Sequence, residues 1–216
     1  MNTLRAIHER HSVRAFLDKP VPRKMIEGLL EAARWAPTGS ARQPWKVTVV
    51  RGEPRDQLVS SLVERAKQRR PKPYSESMDP SQALPRRREF YAMLAQAAKR
   101  LGMTYWDFLI AGSYGFFGAP VVLIASYRGA EGSGQGDVDR FVTTTMLAAH
   151  DQGLGTIWLG YPLSYGDTIR DVLKIPNEEH LAAAVALGYP DLDSPANAFR
   201  APRKDVIEFT RWIGFE

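Results

Sequence analysis

Cysteine is absent from the 216 residues, which removes disulfides, thiolate nucleophiles and thiolate metal sites together. Long apolar runs are also missing. The stretch Ala119 to Ala125 in the middle of the chain is far too short to span a bilayer. The N-terminus reads Met1-Asn2-Thr3-Leu4-Arg5 and meets charge before any apolar segment, so no secretory signal and no membrane association are expected, and a cytoplasmic location is. Histidine is scarce: His8, His11, His150 and His180 form no helix-face pair with a carboxylate between them, which counts against a zinc site. No strand is followed by G-x-G-x-x-G, so a Rossmann nicotinamide site is not expected. G-x-S-x-G is missing too, which weakens a hydrolase reading. A chain this poor in catalytic side chains is either not an enzyme or works through a bound cofactor.

What is present is an ordinary globular mix, with 44% hydrophobic and 25% charged residues, enough for one folded domain. The net charge of +5 collects in Lys67 to Lys72 and Arg86 to Arg88. Acidic residues and prolines sit nearby and no aromatics interleave, so these runs read as solvated helix faces rather than a nucleic-acid surface. A first helix is expected from the N-cap Thr3 to about Arg10. A second follows Val21-Pro22, because Ile26, Leu29, Leu30 and Ala33 recur at helical spacing; it stops before Pro37-Thr38-Gly39. Strands are expected over Trp45 to Val50, Val121 to Ser126, Gly155 to Leu159 and Ala182 to Leu187. Helical segments fall near 54–70, 86–112, 138–151, 165–173 and 203–211. Four prolines between Arg70 and Pro85 mark a surface excursion, and Gly129 to Gly136 reads as a loop before a helix starting at Asp137. Asp137 and Asp139 are read as capping and dipole partners. Strands mixed with helices without regular βαβ spacing indicate an α+β protein with a central sheet covered by helices.

Two segments carry unusual chemistry. Glu9-Arg10-His11-Ser12-Val13-Arg14-Ala15-Phe16 holds two guanidiniums, an imidazole and a hydroxyl within five residues. If extended, it projects Arg10, Ser12 and Arg14 to one side. Arginine forks plus a hydroxyl suit a dianionic phosphate, although a solvated basic turn has the same composition. In the second segment, Ala36-Pro37-Thr38-Gly39-Ser40-Ala41-Arg42-Gln43-Pro44-Trp45, a helix ends and a loop leads into a strand.

Taken together, R-x-S-x-R-x-F followed by a helix, then A-P-x-G-x-x-x-Q-P-W and a strand, resembles the nitroreductase family of flavoproteins. The likeness continues through Phe116-Phe117-Gly118-Ala119-Pro120, Leu147-Ala148-Ala149, Gly153-Leu154-Gly155-Thr156-Ile157-Trp158-Leu159-Gly160 and Ala186-Leu187-Gly188-Tyr189-Pro190-Asp191. It closes on an arginine-rich tail, Arg200-Ala201-Pro202-Arg203. The ordered set runs almost the whole chain.

The resemblance implies a single domain over 1–216, with a variable excursion around 70–115. Its fold would be α+β, with a central, mainly antiparallel sheet flanked by helices and a C-terminal segment that extends onto the partner subunit. It also implies a homodimer with FMN at the interface, NAD(P)H as electron donor, and a small-molecule oxidant such as a nitroaromatic or quinone. By position, Arg10, His11, Ser12 and Arg203 or Arg200 would meet the phosphate and ribityl chain, and Arg14 the pyrimidine end of the flavin. A fixed cation there stabilises the negative charge of reduced flavin. Pro37, Thr38, Gly39 and Ser40 would approach from the partner subunit, and backbone around Trp158, Leu159 and Gly160 would face the flavin N5 edge. Members of the family commonly carry Asn where Ala41 stands, so one polar flavin contact is lost or replaced. Tyr91, Tyr105, Trp106, Phe108 and Tyr114 are either substrate-pocket walls or core. The same fold also hosts reductive dehalogenases and flavin-consuming enzymes, and a non-catalytic binding scaffold is a further alternative.

Overall fold

A computed structural model describes residues 2–68 and 85–215 of the chain. The centre is a four-stranded sheet in the order β1 (Trp45–Arg51), β2 (Val121–Tyr127), β4 (His180–Gly188), β3 (Gly155–Leu159). Every pair is antiparallel. All seven residues of β2 are buried, as its place between two neighbours and two helical layers requires. Strand side chains alternate between faces, and β2 divides accordingly. Val121, Leu123, Ala125 and Tyr127 pack with α2 (Arg23–Ala33) and α6 (Gln135–Asp151). Val122 and Ile124 face the other way, with Leu58 and Leu62 of α3 (Glu53–Gln68) and Ile169 of α7 (Gly166–Leu173). The alanines that weaken β4 as a sequence signal are buried there, Ala182 through Ala184 and Ala186 among them. Their small size lets both helical layers close on the sheet.

Helix α2 buries Ile26, Leu29 and Ala33 of the stripe read from the sequence and leaves its fourth member, Leu30, half-buried against the same core, with Pro22 just ahead of its first turn. A third, smaller cluster joins Leu94 and Ala98 of α4 (Pro85–Arg100) to Phe108 and Ala196. This cluster fastens α4 to the 195–199 stretch and to the 105–109 segment. Among the described residues no helix is long and apolar enough to cross a membrane.

Several expectations need correction. Asn2, not Thr3, caps α1 (Thr3–Glu9), its side chain accepting the Leu4 amide at 2.9 Å. The helix expected over 86–112 breaks after Arg100, where Gly102 turns at φ +67°. The chain resumes as a wide π-type turn, Asp107–Ala111, and the short α5 (Gly112–Tyr114). Glycine permits that left-handed break at no steric cost, and the helical spacing on either side hid it. No helix spans 203–211: a single 3-10 turn, Val206–Glu208, is closed there by a capping box between Asp205 and Glu208. Helix α6 starts at Gln135 rather than Asp137. The end of the segment expected over 54–70 and nearly all of the Arg70–Pro85 excursion lie outside the described residues.

Candidate cofactor site

The segment 10–16 runs beside β3. Ser12 bridges Thr156 in parallel, and the Val13 amide donates to the Thr156 carbonyl at 3.0 Å. This close approach needs Gly155, because a Cβ there would lie 2.7 Å from Val13 Cγ2. Asn197, 5% exposed, fixes the next stretch. Its Oδ1 accepts the Arg14 amide at 2.7 Å, while its Nδ2 donates to the carbonyls of Ala15 at 2.9 Å and Asp191 at 2.7 Å. One amide side chain thus ties the 10–16 segment to the chain that leaves β4. Sequence reading missed it, since nothing local in Ser194-Pro195-Ala196-Asn197 points to a partner 183 positions away.

Arg14 lies between two rings, 5.5 Å from the centroid of Phe90 on α4 and 5.3 Å from that of Phe199 in the tail. Burial pushes its guanidinium down to about 10, still charged at neutral pH. Arg14 also lines a pocket of about 520 Å³ with Phe90, Tyr91, Phe117, Ile157, Trp158, Leu159, Gly160 and Ser164. The structure therefore brings Arg14 together with Trp158, Leu159 and Gly160. An adjoining groove of about 540 Å³ shares Tyr91, Leu109 and Tyr161 and adds Tyr105 and Trp106. Of the five aromatic candidates, Tyr91, Tyr105 and Trp106 line this space. Phe108 and Tyr114 are core residues, and the Tyr114 hydroxyl is 3.1 Å from Ser164 Oγ.

The remaining cations gather at the other end of the segment. Burial lowers the pKa of Arg10, and the charge of Arg203 lowers it further. Burial also lowers that of His11; the Glu9 carbonyl, 3.1 Å from Nδ1, works against it, and Arg200, His150 and Arg10 add to it. Both tail arginines therefore sit near the 10–12 segment, Arg203 acting on Arg10 and Arg200 on His11. Among the described residues their guanidiniums donate to backbone carbonyls, Arg200 to Asn197 and Phe199, Arg203 to Ala201 and Pro202. Among the described residues none of Arg10, Arg14, Arg200 and Arg203 pairs with a carboxylate. Nearby, His11 Nε2 and Thr156 Oγ1 are buried without a hydrogen-bond partner among the described residues. Clustered cations with spare donors, beside unused polar atoms, suit a phosphate on a polar chain.

The loop Pro37–Ser40 is not part of this arrangement: none of its residues lines the Arg14 pocket. It is organised instead by Asp137, which is 3% exposed. Oδ2 accepts Thr38 Oγ1 at 3.1 Å and Arg42 Nη2 at 3.1 Å, and Oδ1 accepts the Gly39 amide at 3.3 Å and Arg140 Nη1 at 2.6 Å. Burial alone would raise this carboxyl, but the Gly39 and Thr38 hydrogen bonds and the two arginines hold it below the usual carboxylate range. Capping and dipole pairing, the roles read from the sequence, understate Asp137. Asp139 does stay local, accepting Gln135 Nε2 at 2.8 Å.

The chain is similar to known proteins along almost its whole length. A sequence profile of the nitroreductase family matches residues 7–189. The chain is 32% identical to nitroreductase NfnB of Mycolicibacterium smegmatis, covering 96% of this chain and 91% of that one. It is 29% identical to a 4-nitrobenzoate reductase of Pseudomonas putida, over 97% and 95% of the two chains. The solved structure of the FMN-dependent NfnB from Mycobacterium smegmatis in complex with NADPH superposes with a TM-score of 0.85 at 32% identity, covering 97% of each chain. An FMN and NADPH-dependent NfnB from a sphigopyxis strain gives 0.86 at 28%, over the whole of both chains. The chain belongs to the nitroreductase family.

Proposed function

We propose that this protein is an FMN-dependent oxidoreductase that takes electrons from NAD(P)H and delivers them to small electron-poor acceptors such as nitroaromatics and quinones. The observation that carries the reading is the set Arg10, Arg14, Arg200 and Arg203. Arg10 and Arg14 lie on one extended segment with the tail arginines beside it, none with a carboxylate partner among the described residues, next to an aromatic pocket. Arg10, Ser12, Arg200 and Arg203 hold the FMN phosphate and ribityl chain, with His11 beside them. Bound FMN supplies hydride acceptance at N5 and onward transfer to the oxidant.

The chain's own work is positioning and electrostatics. Arg14, gripped by Phe90 and Phe199, stays charged in an apolar setting and stabilises negative charge on the pyrimidine end of the flavin. Trp158, Leu159 and Gly160 bring backbone close to the flavin's reactive edge. The groove walled by Tyr91, Tyr105, Trp106 and Tyr161 is lined mostly by apolar surface, which suits a planar donor and acceptor.

The working unit is a homodimer. The tail side chains Val206, Ile207, Phe209, Trp212, Ile213 and Phe215 are 59% to 82% exposed, more contiguous apolar chain than a solitary protein leaves in water. They extend onto the partner, and Pro37, Thr38, Gly39 and Ser40 of each subunit serve the partner's flavin. Supplying FMN to flavin-free protein tests the reading: one tightly held flavin per chain is expected, and no retained flavin would overturn it.

A further inference from the structure

Three of the six residues at 38–43 are non-glycine residues in left-handed backbone: Ser40 at φ +51°, Ala41 at +54° and Gln43 at +44°. Such conformations persist only where the surroundings over-determine them. Here the surroundings converge on one carboxylate. Each Asp137 oxygen takes two donors, so its acceptor capacity is filled. Two of the four donors, Thr38 and Gly39, lie at the start of the strained stretch, and a third, Arg42, lies within it. The loop is further closed on itself: the Gln43 amide donates to Thr38 Oγ1 at 3.0 Å, and Arg42 Nε donates to the Gly39 carbonyl at 3.2 Å. Thr38 Oγ1 therefore relays between Asp137 and Gln43. Asp137 itself is anchored in the first turn of α6, whose Val138, Phe141 and Val142 are buried against the sheet.

We propose that Asp137 is a positioning residue of the cofactor site, holding the strained 38–43 loop in the one shape that presents it to the flavin bound by the other subunit. The proposal rests on the dimeric FMN reading given above. It assigns Asp137 a role in a site that its own chain does not complete, since the loop lies outside the pocket of Arg14. It also accounts for a loop that keeps its strained shape although Ala41 provides no polar side chain.

Replacing Asp137 with Asn puts a donor NH2 against donors and removes the charge that two guanidiniums share. FMN affinity of the Asp137→Asn homodimer should fall about tenfold, the loss typical of a broken charge-assisted contact. Arg42→Met removes one donor at a half-exposed site that the fold tolerates, and should weaken FMN by about threefold in the same direction. A mixed dimer gives the readout that a merely structural role would not move. With Arg14→Gln on one chain and Asp137→Asn on the other, one site carries both lesions and the other carries none. The mixed dimer should then bind one FMN with wild-type affinity, although each parent homodimer binds none so tightly. Wild-type FMN affinity in the Asp137→Asn and Arg42→Met homodimers would overturn the proposal, and so would a mixed dimer that recovers no tight site. Wild-type protein that is monomeric, or that holds no FMN, would overturn the underlying functional reading and this proposal with it.

Discussion

Adding one methyl group at Gly155 should damage both the fold and the cofactor site. Gly155 is not among the residues with left-handed backbone, so a substitution there is decided by space alone. In Gly155→Ala the new Cβ would lie 2.7 Å from Val13 Cγ2 and 3.0 Å from both Cβ and Cγ1 of the same side chain. Ordinary carbon contacts are about 3.5–4.0 Å, so the two chains must part by roughly 1 Å. Valine cannot rotate away, because its branched Cβ holds χ1, and Val13 is buried, 2% exposed. Alanine reduces unfolded-state freedom and so gains about 0.4–1 kcal/mol. Overpacking costs about 1–3 kcal/mol and wins. The net loss should lower Tm by a few degrees at about 2–4 °C per kcal/mol for a chain of this size. The Val13–Thr156 hydrogen bond and the Ser12–Thr156 bridge sit on the same contact, so Ser12 and Arg14 move with Val13. FMN Kd should rise about tenfold, the worth of one weakened charge-assisted contact. Urea unfolding and FMN titration of Gly155→Ala, Val13→Ala and the double variant check this. Removing the Val13 methyls makes room for the new one, so the double variant should be more stable than additivity predicts by about 1 kcal/mol. Strict additivity, or a neutral Gly155→Ala, would refute the packing argument.

Arg10→Met and Arg203→Met should each weaken FMN by about ten- to a hundredfold, the worth of a hydrogen bond to a charged group. Riboflavin, which lacks the phosphate, should bind them as it binds wild type; equal losses for both ligands would remove these residues from the phosphate contact. Ala41→Asn places the non-glycine residue best suited to left-handed backbone at φ +54° and should raise Tm by about 1–3 °C, with FMN held at least as tightly. A fall in Tm would contradict the strain assigned to this loop. His150, like His11, is lowered first by burial; Glu9 works against the shift, and Arg10, Arg200 and Arg5 add to it. With folded values below the unfolded value of about 6.5, the unfolded chain takes up protons first as pH falls. The stability these two contribute above about pH 6.5 is therefore lost below it. Tm of the flavin-free protein should drop on acidification through that window, and His11→Gln with His150→Gln should flatten the drop. An unchanged slope would exclude both histidines as its source.

The sheet was legible because its signals are local. Short apolar runs, β-branched in all but the alanine-rich fourth, with flanking Gly/Pro place each of the four strands to within two residues, and most of the apolar stripe of α2 is its buried face. What escaped depends on single residues or on distant partners. Gly102 interrupts a helical pattern that is otherwise continuous. The segment near 203–211 has helical composition but no buried face within its own chain, and helical propensity alone does not sustain so short a helix in water. Among the candidate site residues, Arg14, Trp158, Leu159 and Gly160 line one pocket. The elements that hold them were invisible. Asn197 reaches back 183 positions to Arg14, and Asp137 reaches back 98 positions to Gly39. Phe90 and Phe199 clamp Arg14 from two further elements. Sequence spacing carries no trace of such long-range pairs.

The most direct test of the account follows absorbance of the FMN-loaded dimer without oxygen. Adding NADPH or NADH should bleach the oxidised-flavin bands, and a nitroaromatic or quinone then added should restore them with matching consumption of the acceptor. Flavin that stays oxidised in the presence of both nicotinamides, or reduced flavin that no such acceptor reoxidises, would contradict it.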